Sequence, residues 1–304
     1  MKSTAKKARP ARSRKNQKAG KGGMAEDEAT VLHDLTFTMR FNLLRNSLTE
    51  AERRVGEYFQ RNPKAVYLSI TEVAQDGELG YGSIIRFCQK LGCAGFQDFK
   101  VLLAQELQTA DRNRARKSRT PLAGQVEKLQ ADILNTAKLI DPKVMEKVAR
   151  SMAKAHFILC AGIAGSASLA HGLNYRLSRI GVYSAADCEG YTMAIRAATL
   201  RKGDVFLGMS FSGATKDLVK AARIAKEHGA VVVALTAFLK SPLGEVADYT
   251  LIGASDRDPF SCEIFPNSPR DFILDLLITE ICSIRPGALE MIQNTFEAIS
   301  DRRI

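Results

Sequence analysis

Gly208-Met-Ser-Phe-Ser-Gly-Ala-Thr-Lys-Asp217 is the stretch on which the reading of this chain turns. An apolar run, Asp204-Val-Phe-Leu-Gly-Met209, precedes it and reads as a buried strand. Leu218 to His228 follows, with apolar residues at helical spacing and a stop at Gly229. A strand therefore passes through a tight, hydroxyl-rich turn into a helix. Ser210, Ser212 and Thr215 bring three hydroxyls to the turn, and Gly213 permits close backbone approach. The helix start adds free N–H groups and a partial positive charge. Such a turn can hold a phosphate without a lysine. An ordinary capped turn uses the same residue types, so the surrounding chain must decide.

Working outward, the chain from Ala155 alternates strand and helix. The spacing predicts strands over about 156–160, 182–185, 205–209, 231–236 and 249–252, with helices over about 166–180, 191–200 and 216–228. The strand runs are nearly all apolar, as expected of strands covered on both faces. The pattern predicts a three-layer α/β domain around a five-stranded parallel sheet, with ligands outside the carboxyl ends of the strands. One other strand end carries matching chemistry. Cys160-Ala-Gly-Ile-Ala-Gly-Ser166 is a small-residue turn feeding a helix, so Gly162 and Ser166 join the candidate site. Neither turn is a Walker loop, because the Gly-Lys-Ser/Thr ending is missing, and Gly162-Ile-Ala-Gly165 lacks dinucleotide-fingerprint spacing.

The N-terminal half reads as helices. Thr49 and Glu52 form a capping box before a helix with Val55, Tyr58 and Phe59 on its apolar face. A second box, Ser69-Ile-Thr-Glu72, opens a short helix over 70–75, with Val73 and Ala74 facing inward. A turn at 76–80 leads to a helix over 81–91. Its inward set is Ile84, Phe87, Cys88 and Leu91, and its outward set is Tyr81, Ser83, Arg86, Gln89 and Lys90. Phe96, Phe99, Leu102 and Leu103 mark a further helix toward Leu107. Short helix, turn and helix is the helix-turn-helix layout, which places its second helix in the DNA major groove. The candidate DNA-binding residues are Ser69, Thr71, Tyr81, Ser83, Arg86, Lys90 and Lys100. Arg86 suits guanine or phosphate, Ser83 suits either, and Lys90 and Lys100 suit phosphate. A plain helical bundle has the same spacing.

Composition sets outer bounds. The chain has 304 residues, 45% hydrophobic and 25% charged, typical of an ordinary soluble protein with two domains. No apolar run is long enough to span a membrane. The net charge of +11 is uneven, with nine bases and no acid in Met1–Gly23. That segment, to residue 34, reads as a basic disordered tail able to touch a polyanion. A second basic segment, 111–119, begins a charged linker. A helix from about Gly124 to Leu139 follows, with an apolar stripe at Val126, Leu129, Ile133, Ala137 and Ile140. The stripe suits packing on its own domain or, alternatively, a dimer contact. The six cysteines lack C-x-x-C spacing and read as free thiols of a cytoplasmic protein. The four scattered histidines predict no metal, and nothing calls for a cofactor.

Taken together, these stretches resemble the RpiR/MurR family of bacterial transcriptional regulators. The first half carries Leu48-Thr-Glu-Ala-Glu-Arg-Arg-Val55, Leu68-Ser-Ile-Thr-Glu-Val-Ala74 and Arg86-Phe-Cys-Gln-Lys-Leu-Gly-Cys-Ala-Gly-Phe-Gln-Asp-Phe-Lys100. The second half looks like a sugar isomerase (SIS) domain, of flavodoxin-like fold, through Gly162–Ser166, Ser210–Thr215 and Ser241-Pro-Leu-Gly-Glu-Val-Ala-Asp248. The resemblance divides the chain into a tail (1–34), a helix-turn-helix domain (35–110), a linker and connecting helix (111–140), a SIS domain (141–288) and a C-terminal helix (289–304). It implies a phosphosugar-type effector, with Ser210, Ser212 and Thr215 on the phosphate and Ser166 meeting the ligand from the first turn. It also implies a homodimer or homotetramer on an inverted-repeat operator, controlling carbohydrate metabolism genes. Two positions depart from the family pattern. Gly80 stands where Ser usually caps the reading helix, with Gly82 in its first turn, and Ala164 stands where the first SIS turn usually has glycine.

SIS domains also occur in isomerases, so a sugar-phosphate isomerase is the alternative. Its base would come from Glu189, His171 or Glu263, but none of these forms an acid/base pair by spacing. A non-enzymatic sensor joined to a DNA reader is the expected function.

Overall fold

The structure, a computed structural model, describes Leu32 and residues 34–115, 121–254 and 267–300. A helical N-terminal region precedes a C-terminal α/β domain. The helices are α1 (Phe37–Leu44), α2 (Glu50–Arg61), α3 (Ile70–Asp76), α4 (Tyr81–Lys90) and α5 (Phe96–Ala115). Side-chain caps set the starts of α1, α2 and α3. Both expected capping boxes form, Thr49 with Glu52 and Ser69 with Glu72. Phe37, Phe41, Phe59, Phe87 and Phe99 are buried and meet largely edge to face, an arrangement aromatic rings favour.

After α6 (Pro121–Leu139) and α7 (Pro142–Lys154), strands and helices alternate. The order is β1 (Ile158–Gly162), α8 (Ala167–Arg179), β2 (Ser184–Asp187), α9 (Gly190–Thr199), β3 (Val205–Met209), α10 (Lys216–Glu227), β4 (Val231–Thr236), α11 (Pro242–Val246), β5 (Tyr249–Ile252), α12 (Ser268–Ile284) and α13 (Ala288–Glu297). The sheet order is β2-β1-β3-β4-β5, and every pairing is parallel. Alternate strand residues point to opposite faces. Ile158, Cys160, Val205, Leu207 and Val233 pack with α7, α8 and α12. Leu159, Ala161, Phe206, Val232 and Ala234 pack with α9, α10 and α11. The strand order reverses direction between β1 and β3. That switch point is where open parallel sheets place their ligands, and both candidate turns leave from it.

The two halves share a buried boundary. Ile252 and Ala254, at the end of β5, belong to the same apolar cluster as the N-terminal phenylalanines. The Leu239 N–H donates to the Leu43 carbonyl at 3.2 Å. Ala254 N–H donates to Thr136 Oγ1 at 3.1 Å, tying α6 to the sheet end.

Several sequence expectations need correction. The strand expected over 182–185 runs two residues later, because Val182 N–H is used at 2.9 Å on Leu177 O to close α8. The expected 156–160 strand also starts two residues late, at Ile158. Leu32 is fully buried in the helical core, so packed structure begins before residue 35. The rest of the tail expected to be disordered, residues 1–31 and 33, lies outside the described residues. The segment read as a linker is partly helix, since α5 runs on to Ala115 and α6 starts at Pro121. Pro is well placed there, as its missing N–H is not needed at a helix start. On α6 the apolar stripe does not pack fully on its own domain, as Val126 and Leu129 are exposed while Asp132 and Thr136 are buried. Thr136 tolerates burial because its hydroxyl donates to Asp132 O at 2.8 Å while accepting from Ala254. Among the described residues no helix is long and apolar enough to cross a membrane.

Candidate functional site

The turn after β3 gathers its hydroxyls. Ser210 is buried, and its Oγ lies 3.0 Å from Thr215 Oγ1 and 3.5 Å from Ser212 Oγ. Gly213 N–H donates to Ser210 Oγ at 3.1 Å and Ala214 N–H to Ser212 Oγ at 3.2 Å. Gly213 sits at φ +62°, and a Cβ there would overlap Ser241. Only glycine fits that combination without strain. Ser241 is itself fixed as the cap of α11, accepting from Gly244 N–H at 3.1 Å. Thr215 stands at the cap position of α10 but makes no cap bond, because its hydroxyl turns toward Ser210. The first N–H groups of α10 are therefore left without a side-chain cap, a donor set suited to an anion.

The turn after β1 lies beside it, with Gly162 paired to Met209 in the sheet register. A Cβ on Gly162 would come within 2.5 Å of the Ser166 carbonyl, which explains a glycine there. Ser166 is buried and also makes no cap bond. Its Oγ accepts from Arg270 Nη1 at 3.3 Å. Ala164 holds φ +52°, a left-handed conformation that costs an L-residue about 1–2 kcal/mol. The departure from glycine noted at this position thus puts backbone strain in the turn.

The sequence reading did not single out Arg270. It lies on α12, 104 residues after Ser166 but only 59 after Phe211, and no motif marks it. Its guanidinium stacks 5.4 Å from the ring centroid of Phe211, inside the β3 turn. The N-terminal region also reaches this end of the sheet, since Asn46 Nδ2 donates to the Ser212 carbonyl at 3.3 Å.

The proposed catalytic candidates separate. Glu189 caps α9, accepting from Tyr191 and Thr192 N–H at 2.9 Å each, and these backbone bonds hold its carboxyl below its ordinary value. His171 is exposed, with Nε2 3.4 Å from Cys188 Sγ. Burial pushes the Cys188 thiol up, away from the reactive thiolate. Glu263 lies outside the described residues.

On the helix-turn-helix, Tyr81 and Arg86 are exposed on α4. Ser83, expected to face outward, is buried instead, because it sits on the side of α4 that packs, and its Oγ accepts from Arg86 Nη2 at 3.4 Å. Ser69 and Thr71 lie on the exposed start of α3, with the Ser69 hydroxyl accepting from Glu72 N–H at 3.3 Å. Lys90 folds back on α2, pairing with Glu52 at 2.7 Å and donating to Ser47 O at 3.3 Å. Burial works to raise the Glu52 pKa, but the bonds from Lys90 and Thr49 outweigh it and hold the carboxyl below its ordinary value. Lys100 donates to Leu68 O at 3.0 Å and lies over Phe96. Both lysines thus brace the motif from within.

Comparison with known proteins follows the same division. The helix-turn-helix domain of the rpiR family matches residues 39–110, and the SIS domain matches residues 151–265. An HTH-type transcriptional regulator of Haemophilus influenzae is 31% identical over 274 residues, covering 86% of this chain and 95% of that protein. The chain belongs to the RpiR family of HTH-type transcriptional regulators. A second HTH-type transcriptional regulator, from Caldanaerobacter subterraneus, is 30% identical over 268 residues, covering 85% of this chain and 95% of that protein. Among solved structures, the Vibrio vulnificus NanR protein complexed with ManNAc-6P aligns with a TM-score of 0.58 at 24% identity, over 88% of this chain and 99% of that one. The sugar isomerase domain of an RpiR transcription factor from Sphaerobacter thermophilus aligns with a TM-score of 0.52 at 26% identity, over 57% of this chain and 98% of that one. This chain shares with the family its order of domains, a helix-turn-helix region followed by a SIS fold.

Proposed function

We propose that this regulator binds a phosphosugar-type effector at the two turns and changes its affinity for operator DNA in response. The observation that carries the reading is the β3 turn. Three hydroxyls gather at the uncapped start of α10, at the switch point of a parallel sheet. Ser210, Ser212 and Thr215 would hold the phosphate, with Gly213 allowing backbone approach and Gly162 and Ser166 meeting the sugar. The ManNAc-6P held by the similar NanR protein fits this chemistry. The link to DNA runs through Asn46 and Leu43, which bond the phosphate turn and the chain after β4. A ligand seated on the 210–215 turn shifts how Asn46 and Leu43 meet it, and with them the placement of α4.

The DNA partner is a double-stranded, inverted-repeat operator, read by a homodimer or homotetramer. Tyr81 and Arg86 lie on the reading face, with Ser69 and Thr71 near the backbone. The exposed Val126 and Leu129 on α6 suit a contact between subunits. A sensing role is favoured over isomerase chemistry because Glu189 spends its carboxylate on a helix cap.

An electrophoretic shift assay with DNA from upstream of its own gene, with and without hexose phosphates, tests the reading. The S212A/T215A double variant should lose the ligand response while DNA binding stays within about twofold. R86A should keep the ligand response and weaken DNA binding by about 1–3 kcal/mol, with a shallower salt dependence. Equal damage to both activities in both variants would defeat this division of labour.

A further inference from the structure

Arg270 is 3% exposed, yet it carries a full charge with no carboxylate beside it among the described residues. Its two hydrogen bonds go to neutral oxygens, Ser166 Oγ at 3.3 Å and Asn267 Oδ1 at 2.6 Å. The next residue, Asp271, is the acid closest in sequence, and its Oδ1 accepts from Arg176 at 3.4 Å. Burial pushes the Arg270 pKa down to about 10, and Asp271 offsets this only in part. A buried charge without a counterion costs several kcal/mol, so proteins normally pair it. Stacking on Phe211 recovers a part of that cost.

The position of this charge is informative. Ser166 belongs to the turn after β1, and Phe211 lies between Ser210 and Ser212 in the turn after β3. One guanidinium therefore touches both turns of the candidate effector site. The β3 turn has no buried cation of its own, since Lys216 is exposed. A guanidinium has five donors in a planar fork suited to phosphate, and the two bonds above leave protons for a further acceptor. Asn267 fixes the fork, and it also donates to Gly165 O at 3.0 Å and Ser168 Oγ at 2.9 Å, which locks α12 to the first turn.

We propose that Arg270 is the cation of the effector site, pairing with the phosphate monoester that Ser210, Ser212 and Thr215 hold. The proposal rests on the effector reading above and deepens it. The phosphate supplies a counterion that the described residues do not, so binding pairs a charge that they leave buried without a carboxylate. Selectivity for a phosphorylated sugar over the free sugar then comes mainly from this residue.

Thermal unfolding of the full-length chain tests it, using inorganic phosphate, a panel of hexose and N-acetylhexosamine 6-phosphates that includes ManNAc-6P, and the matching free sugars. Wild type should melt higher with a phosphate ester and unchanged with the free sugar. R270M should weaken the phosphate affinity by roughly tenfold or more. Without ligand, R270M should melt at or above wild type, because it removes a buried unpaired charge. R270K, which keeps the charge but not the fork, should retain part of the response. If R270M keeps the wild-type response to phosphate, the assignment is overturned. If ligand-free R270M and R270K both melt well below wild type, Arg270 is a structural residue and the assignment is likewise overturned. If wild type itself responds to no phosphate compound, the effector reading falls and this inference falls with it.

Discussion

Helix α4 in the N-terminal region and helix α10 in the α/β domain both begin without a side-chain cap, but for different reasons. At α4 the cap position is Gly80, which has no side chain to offer. At α10 it is Thr215, whose hydroxyl is present but turned toward Ser210. The first start is bare. The second is held in a network of Ser210, Ser212, Gly213 and Ser241 that fixes the turn before any ligand arrives. Uncapped N–H groups on an ordered turn form a preorganised anion site. Uncapped N–H groups on a glycine-flanked start leave a helix end that a partner such as a DNA backbone can order. Under the proposed function, the same local feature would serve a small ligand in one half of the chain and a long polyanion in the other.

The contrast breaks most sharply at Gly213. G213A forces a Cβ into Ser241 at a positive φ, and strain plus overpacking should cost about 2–5 kcal/mol of stability. Chemical denaturation would show this as a lower midpoint, and an unchanged midpoint would mean the turn is not rigid. A164G should act in the opposite direction. Relief of the left-handed strain, less the entropy gained by the unfolded chain, should stabilise by about 0.5–1 kcal/mol. The same denaturation curve reads it. G80S gives the smallest effect, a gain of a few tenths of a kcal/mol from a new cap. Amide exchange at Tyr81, Gly82 and Ser83 is the better measurement, since slower exchange would show a previously frayed start becoming ordered.

Much of this was legible in the sequence where the signal is local. The strands at Val205–Met209, Val231–Thr236 and Tyr249–Ile252 follow from continuous apolar runs ended by turn residues. Both capping boxes follow from residues three apart. The gathering of hydroxyls around Ser210 was legible because all three fall within six residues of one turn. Failures occurred where a side chain found a distant partner. No sequence signal marked the ion pair of Lys90 with Glu52, 38 residues away. Ser83 looked exposed by helical phase, but it lies at the edge of the packed face of α4. Arg270 carries no motif at all, and its meaning appears only when α12 is placed against Ser166 and Phe211.

By itself the sequence determined the order of the two domains, the class of each and the turn chemistry at Ser210–Thr215. These depend on periodicity, caps and hydroxyl spacing, which act within a few residues. The tertiary structure decided the strand order that sets the β1 and β3 turns side by side. It also brought Asn46 to Ser212 across the domain boundary and left Arg270 buried with no carboxylate partner among the described residues. Those outcomes depend on which surfaces meet after the chain folds back, and on how little water remains where they do.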